Sequence, residues 1–316
     1  MWWLSDDPGE MERRFGIRAP SSPGLRPGME HLWGNLAGGA QPWMARDSGG
    51  DDGRVLVHVA RAGSSRYDVL KDGLDRSLPL PRLLACVSGS GERFHGHRER
   101  AWAASAGNLH LSVLVRSGLH AGRTGLGLSM LPVVAVAEML AGLLPADLRP
   151  GIKWVNDIVI GGRKVAGVLA SSRIRGSTIE ECLFGIGLNV AVAPEVEPTV
   201  FVPGTACLAE WMEKPPALGV LVVDLIDRIE NLLEGLDDEG PGRLHGAYCR
   251  FAEGLGREVC VWTDEPGDPL AREPLAEGRL RAIRPDLALE IDGVPGPVTR
   301  GRLAFRDDCL RMKQNG

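Results

Sequence analysis

Lys153-Trp154-Val155-Asn156-Asp157-Ile158 places a lysine, an asparagine and an aspartate within five residues of an otherwise apolar stretch. Read as one extended strand, its side chains alternate, so Lys153 and Asp157 share a face and Trp154 and Asn156 take the other. An ammonium beside a carboxylate suits a carboxylate or phosphate substrate held next to a metal ion. The bland alternative is an exposed ion pair on an edge strand, which is common and weak. A second cluster puts Arg93, His95, His97, Arg98 and Arg100 in one loop, with Glu92 and Glu99 offsetting part of the charge. Guanidinium forks there can grip phosphate oxygens; a self-compensating solvated loop would do nothing. His95-Gly96-His97 lacks a third ligand at metal-like spacing. A third stretch, Phe184-Gly185-Ile186-Gly187-Leu188-Asn189, alternates glycine with apolar residues, as strands do where a ligand or another backbone comes close. GxGxxG, GxxxxGK[ST], GxSxG and HExxH patterns are all absent.

Strands and helices must hold these groups in place. Val55–Val59, Leu83–Val87, Asn108–Val115 and Cys182–Val190 read as strands, and Arg66–Leu74 as a short helix capped by the Ser64-Ser65 pair. Ile152–Ile160 and Lys164–Leu169 read as a hairpin across Gly161-Gly162. Leu126–Leu144 predicts a long buried amphipathic helix, and Val220–Leu236 a second amphipathic one. The intermixing indicates an α/β (α+β) domain over residues 53–252, a mixed sheet flanked by helices. Residues 253–316 carry only short strand signals, the texture of a small β-barrel of about five strands. Residues 1–52, rich in Gly, Pro and charge, read as a loosely folded leader with no helix-turn-helix pattern.

Composition narrows the function classes. The 316 residues make about two domains, and 36 basic against 41 acidic side chains leave a net charge of −5, which argues against a nucleic-acid coat. The N-terminus lacks a signal-peptide pattern. The longest apolar run holds Pro132 and Glu138, which fit a core helix rather than a membrane span. Six isolated cysteines without a CxxC pair point to reduced core thiols and a cytoplasmic location.

Taken in order, Ser64-Ser65, His95 to Trp102, Gly107-Asn108-Leu109-His110-Leu111-Ser112, Lys153 to Asp157 with Lys164 to Leu169, and Gly185-Ile186-Gly187-Leu188-Asn189 resemble the biotin protein ligase family within the biotin/lipoate ligase superfamily. The family pattern runs Ser-Thr, GRGRxGRxW, GNLxxS, KWPND with KxxGIL, and GxGxN, so the match spans residues 55–192. The resemblance implies a class II aminoacyl-synthetase-like catalytic domain followed by a small SH3-like β-barrel. It implies ATP, Mg²⁺ and biotin, an acyl-adenylate intermediate, and transfer to a lysine of a carrier domain of the biotin carboxyl carrier type. Bringing two anions together then requires preorganised positive charge.

Carried over residue by residue, the resemblance makes Lys153, Arg98 and Asp157 catalytic, with Asp157 also the Mg²⁺ ligand. Ser64, Ser65, Glu92, His95, Gly96, His97, Gly167, Gly185 and Gly187 would bind the ligand. Arg100, Trp102, Asn108, Asn156, Lys164 and Asn189 would bind the nucleotide. The loop departs from its pattern: His95 and His97 stand for arginines, Phe94 and Glu99 for glycines, Glu92 for a glutamine, and Val155 for proline. The histidines predict activity rising as pH falls from about 8 towards 6.5. The alternatives are a lipoate, octanoate or other carboxylate ligase on this fold, and a non-catalytic ligand-binding relative. Expected partners exclude nucleic acid and membrane, and the oligomeric state is open, a homodimer included.

Overall fold

The computed structural model describes residues 1–15, 30–37, 40–46, 53–75, 80–265 and 267–315. In chain order the main sheet and its helices are β1 (Trp2–Ser5), α1 (Pro8–Phe15), α2 (Glu30–Ala37), β2 (Trp43–Arg46), β3 (Arg54–Ala62), α3 (Arg66–Asp75), β4 (Leu83–Gly91), β5 (Leu109–His120), α4 (Ala121–Thr124), α5 (Gly127–Leu143), β6 (Gly151–Lys153), β7 (Asp157–Ile160), β8 (Arg163–Arg175), β9 (Thr178–Leu188), α6 (Leu218–Glu239) and α7 (Pro241–Phe251). β10 (Glu258–Trp262), β11 (Ala276–Ile283), β12 (Leu289–Ile291), β13 (Arg302–Phe305) and α8 (Arg306–Asn315) follow.

Nine strands form one mixed sheet in the order β2-β1-β3-β4-β5-β9-β8-β7-β6. β5 alternates less than its sequence suggests: Leu109 to Val115 are buried throughout, because α3 packs over one face of the strand and α6 over the other. α5 is buried nearly all round, from Gly127 to Leu140, rather than along one stripe, so it is a central core helix. α6 keeps the expected stripe, with Leu218, Leu221, Val222, Leu225, Ile226, Ile229, Leu233 and Leu236 inward. These helices cover one sheet face, while α2 and α3 pack with Val57, Cys86, Leu114 and Leu183 on the other. Gly161 and Gly162, at φ +58 and +78, make the β7–β8 turn as expected. Ser65 Oγ accepts the backbone N–H of Tyr67 at 3.2 Å, the cap read for α3.

The N-terminal segment differs from the leader expected for residues 1–52. β1 runs parallel to β3, from Trp2 opposite Val55 to Ser5 opposite His58, and β2 pairs antiparallel with β1. Trp3, Leu4, Met11, Phe15, Trp33 and Leu36 are buried, and Ser5 Oγ lies 2.9 Å from His58 Nδ1 inside the core. Part of the expected leader (16–29, 38–39, 47–52) lies outside the described residues.

The C-terminal region also differs in detail. It forms a four-stranded antiparallel sheet, β12-β11-β10-β13, instead of about five strands, and it ends in α8. Among the described residues no helix is long and apolar enough to cross a membrane.

Candidate active site

The stretch read as one strand from Ile152 to Ile160 is two strands with a tight turn at Trp154-Val155-Asn156. β6 and β7 pair so that Lys153 lies opposite Asp157. The two halves of the motif thereby serve different parts of the molecule. Lys153 is 4% exposed; its Nζ donates to the Phe201 carbonyl at 2.6 Å and lies 5.2 Å from the centre of the Phe305 ring. Trp154 Nε1 donates to the Leu287 carbonyl at 2.8 Å. Lys153 and Trp154 therefore fasten the C-terminal sheet to the catalytic sheet. Burial lowers the Lys153 pKa to about 8, against the opposing pull of Asp157 and Asp308. Asn156 and Asp157 turn the other way, into a cavity of about 310 Å³.

That cavity sits over the α3-covered face of the sheet, and strand register explains its floor. One cross-strand row holds Asp157, Gly167, Gly187 and His110; the next holds Leu169, Gly185 and Ser112. At the three glycines the floor carries no side chains, so neighbouring groups come close to its backbone. The close neighbours are aromatic: a Cβ on Gly185 would meet Tyr67 at 2.9 Å, and one on Gly187 would meet the Trp102 ring at 2.4 Å. Trp102 Nε1 donates to His110 Nδ1 at 3.4 Å. Phe94 meets His110 edge-on at 5.7 Å between ring centres. The cavity's lysine is Lys164, whose Nζ lies 2.6 Å from Asp157 Oδ1 and 5.7 Å from the centre of the Trp102 ring. Asn156 Nδ2 donates to the Val168 carbonyl at 2.6 Å, which fixes the turn on β8.

The loop from Arg93 to Trp102 covers one wall. It closes on itself through Gly96 N–H to the Arg100 carbonyl at 2.7 Å and Trp102 N–H to the Phe94 carbonyl at 2.9 Å. Arg93, Arg98 and Glu99 have φ of +52, +57 and +58, so Glu99 adopts the glycine-like conformation its position requires. Holding such residues there costs of order 1–3 kcal/mol each.

Of the residues assigned from the sequence, Ser65, His95, Gly96, His97, Arg100, Trp102, Asn156, Asp157, Lys164, Gly167, Gly185, Gly187 and Asn189 line the cavity. Five do not. Lys153 is engaged as above. Arg98 forms an ion pair with Asp264 beyond β10. Ser64 Oγ accepts from the Arg66 guanidinium at 3.3 Å, outside the lining. Glu92 is exposed and paired with Arg61 at 2.6 Å, so its lack of a donor does not bear on the ligand head group. Asn108 is fully buried: its Oδ1 accepts from the N–H groups of Val190, Ala191 and Val192, and its Nδ2 donates to the Val192 carbonyl at 2.8 Å. It positions the chain that supplies Pro194, Glu197, Thr199 and Thr205 to the cavity. Tyr67, Phe94, His110, Ser112 and Arg302 are lining residues the assignment missed. Period-two alternation along β5 could have found His110 and Ser112. Arg302 reaches the site only through tertiary packing.

The two loop histidines are not equivalent. Burial works against a charged His95, but its bonds to the Gly96 carbonyl and to Asp68 Oδ2, the latter at 2.8 Å, outweigh this and raise its pKa. His97 is lowered by burial, then by Arg100 and Arg98. The raised His95 gains charge as pH falls through its folded pKa, whereas the lowered His97 gains it only at lower pH. A gain in activity between pH 8 and 6.5 is therefore expected from His95, and Asp68→Asn should flatten that limb of the pH–rate profile. An unchanged profile in this variant would show that His95 does not set it.

The biotin/lipoate A/B protein ligase family model matches residues 90–189, which contain the loop and most of the cavity floor. The bifunctional ligase/repressor BirA of Escherichia coli (strain K12) is 32% identical over 259 residues, covering 81% of this chain and 75% of that protein. The chain belongs to the biotin/lipoate A/B protein ligase family. Within this family, the biotin–[acetyl-CoA-carboxylase] ligase of Paracoccus denitrificans is 34% identical over 153 residues, covering 44% of this chain and 58% of that protein. The biotin protein ligase from Aquifex aeolicus, solved in complex with biotin and ATP, aligns with a TM-score of 0.59 at 18% identity over 79% of this chain and 98% of that one. At that identity the likeness concerns the fold: a large mixed sheet flanked by helices, followed by a small antiparallel sheet.

Proposed function

We propose that the chain is a biotin–protein ligase, which converts biotin and ATP to biotinyl-5′-AMP and pyrophosphate and passes the biotinyl group to a carrier lysine. The observation that carries this reading is the cavity itself. Its glycine-floored hollow, the Lys164–Asp157 pair and the Arg93–Trp102 loop converge from segments far apart in sequence, in a chain of this family. In the first step a biotin carboxylate oxygen attacks the α-phosphorus, forming an O–P bond as the bond to pyrophosphate breaks. In the second, the carrier amine attacks the acyl carbon; the acyl–oxygen bond breaks, AMP leaves and the amine loses a proton.

Roles follow from placement. Lys164 offers a fixed ammonium to the carboxylate and α-phosphate, where two negative groups must approach. Ser65, His110 and Ser112, at the polar positions of the floor and the α3 entrance, supply donors and acceptors to the ligand head group. Phe94, Trp102 and Arg100 cover the reacting groups and keep water from the anhydride. Asn108 acts as a positioning residue for the 190–205 segment.

The donor set fits a magnesium ion held mainly by nucleotide phosphates. No group of three His, Cys, Asp or Glu side chains gathers among the described residues, and Mg²⁺ commonly takes only one or two carboxylates beside phosphates. Asp157 would hold it, since Lys164 engages Oδ1 and leaves Oδ2 outside that pair. The ion would supply charge neutralisation at the phosphates.

The lipoate or octanoate alternative is not favoured. Relatives in Paracoccus denitrificans and Mycobacterium tuberculosis carry biotin-ligase names, and Glu92, paired with Arg61 outside the cavity lining, takes no part in choosing the head group. The acceptor is read as a biotin carboxyl carrier domain. Absence of a nucleic-acid partner rests on the commitment of β1 and α1 to the catalytic sheet, and a reducing cytoplasm on six free cysteines. Incubating the chain with MgATP, biotin and an isolated carrier domain should add one biotinyl group to that domain by mass. An unmodified carrier, with biotin and ATP both consumed, would limit the activity to adenylation.

A further inference from the structure

Arg66 opens α3 between Ser65 and Tyr67, two residues that line the cavity, but its own side chain runs to the N-terminal segment. It is 8% exposed. Nη1 donates to the carbonyl of Leu36 in the last turn of α2, where a helix leaves carbonyls without partners of their own. Nη2 donates to the Ser64 carbonyl at 3.0 Å and to Ser64 Oγ at 3.3 Å, and Nε reaches the same carbonyl at 3.3 Å. One planar fork thus joins the end of α2 to the turn that enters α3.

The same turn is held from its other side. Arg93, at the start of the loop over the cavity, donates to the Gly63 carbonyl from Nε at 3.0 Å and from Nη2 at 2.9 Å. The successive carbonyls of Gly63 and Ser64 are therefore gripped by two arginines, one from the loop and one braced on α2. Helix α3 has its own means of staying on the sheet: Tyr67 and Leu70 pack in the core with Val57 and Val59, and Ser65 Oγ caps the helix at the Tyr67 N–H. A guanidinium taken out of water onto neutral partners is costly, and burial lowers the Arg66 pKa against the opposing pull of Cys86 and Asp6. What this buried charge fixes is the backbone on which Ser65 stands. Because Ser65 Oγ accepts from the Tyr67 N–H, its hydroxyl proton is left to donate to a ligand.

We propose that Arg66 is a positioning residue for the ligand head group: braced on α2, it fixes the Gly63–Ser65 turn, and with it the direction of the Ser65 hydroxyl and the place of the Tyr67 ring against Gly185. The assignment rests on the ligase reading. The N-terminal segment thereby contributes to ligand recognition without touching the ligand. Loss of the fork should be felt at the part of the cavity that Ser65 and Tyr67 line, and not at Asp157 and Lys164, which β7 and β8 carry.

Initial rates of ATP–pyrophosphate exchange by the full chain, with biotin and MgATP varied in turn, test this. Arg66→Ala should raise the KM for biotin about tenfold, the scale of one hydrogen bond, while kcat and the KM for MgATP stay within about twofold. Arg66→Lys keeps the charge but has no fork to hold both carbonyls, so its KM for biotin should fall between those of wild type and Arg66→Ala. Guanidinium ion, added far below denaturing concentrations, matches the group removed in Arg66→Ala and should bring the KM for biotin back towards wild type. If the alanine variant fails to fold, the lysine variant carries the test, and its KM for biotin alone should rise. An unchanged KM for biotin overturns the proposal. So does a parallel loss in kcat and in both KM values without rescue, which would make Arg66 a support for the fold. Failure of the ligase reading looks different: wild type itself would show no biotin-dependent exchange.

Discussion

Lys164→Ala should reduce biotin-dependent ATP–pyrophosphate exchange by roughly 10²–10³-fold, the scale of losing one preorganised group that stabilises charge in the transition state. Among the described residues Lys164 is the one lysine lining the cavity, and it sits 2.6 Å from Asp157, which lies on the row that also holds Gly167 and Gly187. Fold stability should change little, because the pair is partly exposed and such pairs contribute at most about 1 kcal/mol. Asp157 would lose its counter-ion, so Lys164→Arg is the informative companion: it restores charge but, with a planar fork, not the geometry of an ammonium. Near wild-type exchange in Lys164→Ala would remove this lysine from the chemistry.

Lys153→Met should have the opposite signature, altering stability more than catalysis. The folded pKa of Lys153 is about 8 against an ordinary value of 10.5. Between these values the unfolded chain binds the proton and the folded chain does not, so this group makes stability rise with pH across that window. The shift corresponds to about 3 kcal/mol of folding free energy, present as a cost below pH 8 and relieved towards pH 10.5. Methionine keeps most of the volume without the charge. Urea unfolding of Lys153→Met should therefore lose that rise, and at pH 7 the variant should be at least as stable as wild type, less the bond to Phe201. Exchange activity should stay within about tenfold, less than the loss of a direct transition-state contact. Parallel urea curves at pH 7 and 10 for both proteins would contradict the burial of a lysine without a carboxylate partner.

The contrast between the two lysines shows what could be read from sequence. Local patterns located the β7–β8 hairpin, the α6 stripe and the motifs that gather at the cavity, because each depends on residues near one another in the chain. The role of Lys153 was not legible, because alternation was carried through Trp154-Val155-Asn156, where the chain instead turns back. After that turn, Lys153 still lies opposite Asp157 but points to the C-terminal sheet. Glu92 and Arg98 share a loop with the lining residues, yet Arg61 and Asp264, brought near only by folding, draw them elsewhere. β1 is four residues long and pairs in parallel with a strand some fifty residues later, so neither periodicity nor a turn announces it. Arg302 belongs to no motif; its place follows from how the C-terminal sheet packs on Phe201 and Lys153.

The most direct test of the central claim is ATP–pyrophosphate exchange by the purified chain, with biotin, lipoate and octanoate offered separately. Exchange that depends on biotin and is at least about a hundredfold weaker with the other two, a difference that a site built to hydrogen-bond a head group supports, is the expected result. Exchange with lipoate or octanoate but not biotin, or silence with all three while MgATP still binds, would contradict it.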